Sequence, residues 1–235
     1  MQDYILAHDH VMEPSQRLRW CFQAAEALAY CHEQGVLHCD LRQDNFLLNE
    51  HLDLLMCDFG GSELKGSFEG LGLPDFGYFD PTYGDLHTVT IETEVFGLGS
   101  VMYFIMAAKM PHGPQKPPHI DEELECAAKF EQQLRQGHYP QIQGPLDAII
   151  RGCWKREFSS AAEVVLAMTR QREILREQYG PPRLAPERTN GLFRSFVDLL
   201  YQVKLSLMAS IRGTCASIWS TGVGNSDSLR YFEDA

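Results

Sequence analysis

The 235 residues suit one globular domain, or one domain with a tail, and 44% hydrophobic against 22% charged residues excludes a chain disordered throughout. A formal charge of -12, from 20 basic and 32 acidic residues, argues against nucleic acid or an anionic membrane as the main partner. Seven cysteines (Cys21, Cys31, Cys39, Cys57, Cys126, Cys153 and Cys215) are odd in number and form no C-x-x-C pair, so neither a disulfide framework nor a zinc ribbon is indicated, and reduced thiols in an intracellular, cytoplasmic setting fit best.

Residues 3–9 read as a short helix, and Met1 is followed by Gln2-Asp3-Tyr4 rather than a basic and then apolar run, so no signal peptide is expected. Ser15 is a candidate N-cap for a longer helix. Leu18, Cys21, Phe22, Ala25, Leu28, Ala29 and His32 recur there at helical spacing, and Gly35 stops it. Phe46-Leu47-Leu48 and Leu54-Leu55-Met56, separated by Asn49-Glu50-His51, predict a small hairpin. Gly60 to Gly84 lacks periodicity and reads as a long irregular segment of the kind that carries function. Val95–Ala108 is apolar on nearly every side. It is too short to cross a bilayer and is expected to be a central helix, so no transmembrane segment is predicted. A loop at 111–118, a polar surface helix at 121–136 and a short helix at 146–154 follow. Ser160-Ala161-Ala162-Glu163 is a capping box that opens a helix running to about Tyr179. The expected divisions are 1–178, a linker at 179–191, and 192–235 as an amphipathic helix and flexible tail striped by Phe193, Phe196, Val197, Leu200, Val203, Leu207 and Ile211.

The chemistry concentrates in His38-Cys39-Asp40-Leu41-Arg42-Gln43-Asp44-Asn45, between a helix and the hairpin, and in Asp58-Phe59-Gly60 at the hairpin's far end. Phosphoryl transfer needs a carboxylate to orient the attacking hydroxyl, a cation near the moving phosphate, and oxygen ligands for magnesium. Asp40 and Arg42 offer the first two. Asn45 and Asp58 could supply the metal oxygens, returned to one another by the hairpin. Asp40 and Asn45 taken alone could equally be a capped turn. Gln43 and Asp44 are expected to face solvent, and Cys57 to be core rather than reactive.

These motifs resemble the protein kinase family, whose catalytic loop is H-R-D-L-x-x-x-N and whose metal loop is D-F-G. Here they read HCDLRQDN and DFG. Gly77-Tyr78-Phe79-Asp80-Pro81 resembles the end of the activation segment, Glu94-Val95-Phe96-Gly97-Leu98-Gly99 the start of the central helix, and Cys153-Trp154 a Cys-Trp pair late in many kinase lobes. The resemblance covers roughly residues 3–178. It implies an α+β, protein kinase-like fold: a mainly α-helical C-terminal lobe with a small β-hairpin. It further implies ATP and Mg2+ as cofactors, a protein substrate, Asp40 as base, Arg42 as phosphate neutraliser, and Asn45 and Asp58 as metal and nucleotide ligands. His38 would be a core residue beneath Phe59.

The chain also departs from the pattern. Cys39 stands for the arginine of H-R-D, which in the family answers a phosphate on the activation segment. Arg42 stands for a common lysine, and Glu94 for an aspartate, one methylene longer, that would still accept hydrogen bonds from the catalytic loop. Thr82 stands for the glutamate of A-P-E, and Phe158 stands roughly where its arginine partner would be. Both halves of that ion pair are missing together, so Thr82 is expected to meet the 155–159 loop with Phe158 filling the space, unless Arg156 pairs with Asp80 instead. No glycine-rich loop, V-A-I-K-type lysine or partner glutamate helix is present in the sequence, which predicts a truncated N-terminal lobe, or one supplied by a partner, and an inactive chain as given. Three readings follow: a protein kinase, with Ser/Thr acceptors ahead of Tyr; a kinase-fold regulatory or binding module without catalysis; and, last, a small-molecule kinase of related fold.

Overall fold

The computed structural model describes residues 1–64, 77–80, 89–111 and 120–179, all within one compact unit spanning Met1–Arg188. The predicted linker beyond Tyr179, the tail stripe, Thr82 and most of the loop at 111–118 lie outside the described residues. In chain order the elements are α1 (Gln2–His8), a 3-10 turn (Asp9–Val11), α2 (Pro14–Glu33), β1 (Val36–Leu37), β2 (Phe46–Leu48), β3 (Leu54–Met56), β4 (Glu63–Leu64), α3 (Ile91–Ala107), α4 (Ile120–Arg135), α5 (Asp147–Trp154) and α6 (Ala161–Tyr179). This is the expected α+β arrangement, mainly helical with small antiparallel pairs.

α3 is the axis. It packs against α2 on one side and α5 on another, and Glu94 to Ile105 are buried without a break. Every turn therefore meets protein, as a helix apolar all round requires. Its approach to α5 is close: a Cβ on Gly99 would lie 2.7 Å from Cys153 Cβ and 3.2 Å from the Ile150 carbonyl oxygen, so only glycine fits. The helix begins earlier than its apolar run because Thr90 and Thr93 cap it reciprocally. At its other end Arg17 of α2, itself buried, donates to the Ile105 carbonyl at 2.5 Å, placing a cation at the helix's negative end.

α2 differs from its predicted form in two ways. Its first residue is Pro14 with Glu13 as N-cap, not Ser15, because proline at the first position has its φ preset and no N–H in need of an acceptor. Trp20, Gln23, Ala24, Ala27 and Cys31 are buried as well as Cys21, Ala25 and Leu28, since the helix is sandwiched between α3, α6 and the hairpin. Gln23 tolerates burial by bonding the hairpin at both ends of its amide, to Asp53 Oδ1 at 3.0 Å and from the Leu54 N–H at 2.9 Å.

The hairpin β2–β3 forms in the predicted place, pairing Phe46 with Met56, Leu47 with Leu55 and Leu48 with Leu54. β1 pairs with β4, which lies inside the stretch expected to be wholly irregular. Two residues carry no readable alternation, so this pairing is set by tertiary contact alone. Gly35, at φ 72°, turns the chain out of α2 as expected. The capping box of α6 is present in shifted form: Ser160 Oγ accepts from the Glu163 N–H at 3.3 Å, while Glu163 reaches the Ser159 N–H at 2.7 Å.

Candidate functional site

Beyond β1 the chain enters the loop His38–Asn45. Burial alternates: Leu41, Gln43 and Asn45 point into the protein, while Asp40 and Arg42 are partly exposed and Asp44 is exposed. Gln43 therefore does not face solvent as expected. It is 2% exposed, because its place in the alternation outweighs its polarity. The alternation sets Asp40 and Arg42 on the open side, with Arg42 Nε 3.6 Å from Asp40 Oδ2. Asn45 closes the group, its Nδ2 donating to the Asp40 carbonyl at 2.7 Å and to Asp40 Oδ2 at 3.0 Å. That leaves the Asn45 side-chain oxygen, Oδ1, as the amide atom suited to a hard cation.

The hairpin carries the second motif back to the first. Past the Phe46–Met56 rung, the Cys57 N–H donates to the Asn45 carbonyl at 2.9 Å, and Asp58 is the next residue. His38 is fully buried. Its Nε2 lies 2.9 Å from the Cys57 carbonyl, and its ring centroid is 4.8 Å from that of Phe59. The imidazole thus pins the D-F-G strand end to the catalytic loop and is sequestered from chemistry. Asp58 is exposed, in the left-handed region at φ 60°. Asp tolerates this conformation better than most residues, but it costs about 1–3 kcal/mol and persists only where neighbours over-determine it. Burial, then the charge of Asp58, pushes the Cys57 thiol up from its ordinary value, which disfavours a nucleophilic thiolate there.

Cys39 is a second left-handed residue, at φ 66°, with no glycine to relieve it. Its N–H donates to Glu94 Oε1 at 2.7 Å, and the other oxygen of that carboxylate lies 2.8 Å from His32 Nε2. Glu94, 3% exposed on α3, accordingly accepts from the catalytic loop as its sequence position suggests. Sequence reasoning had His32 only as an apolar-face position. The signal that could have found it is a histidine next to the last residue of α2, facing an acidic residue at the start of the central helix.

At the end of the activation segment Thr82 lies outside the described residues, and the alternative named for this corner, Arg156 paired with Asp80, is the one present. Arg156 Nε lies 2.5 Å from Asp80 Oδ2, and the Asp80 side chain is 3% exposed. The pair has moved by two residues rather than vanished. A buried carboxylate with no cation would be costly, and the shortened α5–α6 loop brings Arg156 within reach of Asp80. Phe158 is half-buried with its ring against Gly152.

Among the described residues no three His, Cys, Asp or Glu side chains gather as a metal-holding group. Asn45 and Asp58 are a different donor set: two hard oxygens, which suits Mg2+, an ion commonly held by one or two protein oxygens with phosphates and water completing its octahedron. Leu47, next to the catalytic loop on β2, is 52% exposed where its neighbour Phe46 is fully buried.

A helical lobe with an H-x-D-x-x-x-x-N loop, tied through Asn45 to a D-F-G triplet, defines a kinase-type phosphotransfer fold. The family model for the protein kinase domain matches residues 1–168, and the chain belongs to that family. It is 31% identical over 126 residues to the carbon catabolite-derepressing protein kinase of Saccharomyces cerevisiae, covering 52% of this chain and 20% of the relative. It is 32% identical over 161 residues to a probable receptor-like protein kinase of Arabidopsis thaliana, covering 65% and 19%. To the sucrose non-fermenting protein kinase 1 of Fusarium virguliforme it is 30% identical over 122 residues, covering 50% and 17%. The match spans a fifth or less of these relatives.

Proposed function

We propose that the chain is the catalytic-loop lobe of a protein kinase that transfers the γ-phosphoryl group of Mg-ATP to a protein hydroxyl, serine or threonine ahead of tyrosine. What supports this most is one residue, Asn45, bonded through its side chain to Asp40 and through its backbone to Cys57. Two motifs, with Asp58 13 residues beyond Asn45, are thereby tied to each other by side-chain and backbone bonds.

In this reading Asp40 orients the acceptor hydroxyl and accepts its proton as the oxygen bonds to the γ-phosphorus. The bond from phosphorus to the bridging oxygen breaks and ADP leaves. Arg42, beside Asp40, neutralises the transferring phosphoryl oxygens. Asn45 and Asp58 would hold Mg2+, which supplies charge neutralisation on the phosphates. Leu47 offers an exposed apolar face for the nucleotide base. The chain carries no glycine-rich loop or strand lysine to position phosphates. Positioning and electrostatics are most of catalysis here, so the 235 residues alone should bind Mg-ATP very weakly and transfer nothing measurable. The six cysteines of the described region are all free, which suits a reducing, intracellular compartment.

The test is a labelled-phosphate assay on the chain joined to a kinase small lobe, with generic protein substrates set against small alcohols and aminoglycosides. Incorporation into protein alone, with the Mg2+ requirement raised by Asn45→Ala, is the expected result. Transfer to small alcohols alone, or an Mg2+ requirement that Asn45→Ala leaves unmoved, contradicts it.

A further inference from the structure

We propose that Asp53, clamped by Arg19 and Gln23 of α2, is a positioning residue for Asp58: the grip of α2 on the hairpin turn fixes the register in which β3 delivers the D-F-G triplet to Asn45. The inference rests on the kinase reading and adds to it the device that holds the second metal ligand in place.

A two-stranded hairpin of three rungs is marginal in water by itself. Its strands, Phe46-Leu47-Leu48 and Leu54-Leu55-Met56, are apolar at every position, so hydrophobic alternation selects no register. Register must come from the turn and from what grips it.

The grip centres on Asp53, which is 9% exposed and has every polar atom engaged. Its N–H donates to Asn49 Oδ1 at 2.8 Å, and its carbonyl accepts from the Asn49 N–H at 3.1 Å. Asp53 Oδ2 accepts from Asn49 Nδ2 at 3.3 Å. Oδ1 accepts from Gln23 Nε2 at 3.0 Å and is paired with Arg19. Gln23 also takes the first N–H of β3, from Leu54, at 2.9 Å. One residue earlier, the Leu52 carbonyl accepts from Trp20 Nε1 at 2.7 Å and from Gln16 Nε2 at 3.4 Å. Leu52 is left-handed, at φ 57°, a conformation that its neighbours must enforce. Gln16, Arg19, Trp20 and Gln23 stand at i, i+3, i+4 and i+7, so one stripe of α2 holds the whole turn.

A slip of β3 by one residue would move its far end by about 3.3 Å and turn each side chain to the opposite face. Mg2+ accepts ligand oxygens only near about 2.0–2.1 Å, so Asp58 and Asn45 could no longer share an ion. Asp58 lies two residues past the Phe46–Met56 rung and is itself left-handed. The catalytic loop has a separate fixture, the Cys39 N–H bonded to Glu94 at 2.7 Å. The α2 clamp therefore serves the metal ligand, and Glu94 serves the loop that carries the base.

Amide-resolved hydrogen exchange on the 235-residue chain reads the clamp without any need for activity. Asp53→Ala should speed exchange of the Cys57 N–H, which bonds Asn45, by about tenfold, in line with coupling through one network, and leave the Cys39 N–H unchanged. Arg19→Gln should do the same, because it leaves a buried carboxylate uncompensated. The double variant should be no worse than the more severe single one. Asp53→Asn, which keeps an acceptor for Gln23, should recover part of the protection. In the form joined to a small lobe, Asp53→Ala should raise the Mg2+ concentration for half-maximal rate by a similar factor, with KM for a protein acceptor nearly unmoved. Faster exchange confined to the turn 49–54, equal acceleration at Cys39, additive effects in the double variant, or equal rises in the Mg2+ and acceptor requirements overturns the clamp. If the wild-type fusion transfers no phosphate to protein, the kinase reading fails, and the exchange data still decide whether α2 sets the register of β3.

Discussion

Two irregular segments, the catalytic loop at 38–45 and the short stretch at 77–80, lie against the same helix and are held by different means. The catalytic loop is fixed by hydrogen bonds to its backbone: the Cys39 N–H donates to Glu94, the Asp40 carbonyl accepts from Asn45 Nδ2, and the Asn45 backbone carbonyl accepts from the Cys57 N–H. Its charged groups, Asp40 and Arg42, keep a wet side. The 77–80 stretch buries a charge, Asp80, and relies on a half-exposed arginine to compensate it. The contrast separates two tasks. On the proposed reading, a loop that must hold reactive groups open to a substrate is fixed through its backbone. A platform that needs only to stay in register can be fixed through a side chain, at the risk that losing one partner leaves a buried charge.

The largest expected effect concerns the core beneath both segments. Burial pushes the thiols of Cys21, Cys31 and Cys153 well up. A folded pKa above the unfolded one means the contribution is complete below the unfolded thiol value of about 8.5 and is lost as pH rises past it. Unfolding free energies from urea titrations should hold steady to about pH 8 and then fall, by about 1.4 kcal/mol per pH unit for each thiol. Cys153→Ser should make that fall shallower. A flat profile to pH 10 would mean these thiols stay wet.

Next is Glu94, which serves the loop. Glu94→Ala removes the acceptor of a strained residue's N–H and the partner of His32, and should cost about 3 kcal/mol by urea unfolding. Arg156→Gln should cost less, about 1 kcal/mol, because the glutamine amide can still donate to the Asp80 carboxylate and the arginine side of the pair is part-solvated. If the order is reversed, the comparison between backbone-held and charge-held segments is wrong. The smallest effect is chemical. Iodoacetamide at neutral pH should modify half-exposed Cys126 before Cys57, and should leave Cys39 untouched unless Glu94 is replaced. Early labelling of Cys39 in the wild type would mean that the loop opens on its own.

The difference between the segments also explains what was legible in the sequence. The catalytic loop was readable because its parts are close in the chain: eight residues, a short hairpin and a triplet. Hairpin register carries Asn45 to Cys57 without reference to the rest of the fold. Glu94 could be expected to accept from the loop because one carboxylate replaces another at the same helical position. The Arg156–Asp80 pair lies 76 residues apart in sequence, and only the conformation of the α5–α6 turn decides whether Arg156 or Phe158 faces Asp80. Gln43 was misplaced because polarity was weighed without the alternation around it. β4 was missed because two residues have no period. Ser15 was preferred over Pro14 because a hydroxyl cap is a familiar start, whereas Pro14 needs no cap at all.

The most direct test of the account is label transfer from γ-labelled ATP to a protein substrate by the small-lobe fusion, with Asp40 intact and as Asp40→Asn. The substitution keeps size and hydrogen-bonding reach but removes the base. A loss of about 10²–10⁴-fold in kcat with KM for ATP little changed is the predicted result. Equal incorporation by both proteins would show that Asp40 does not take the acceptor's proton, and would contradict the assignment of this loop as the catalytic centre.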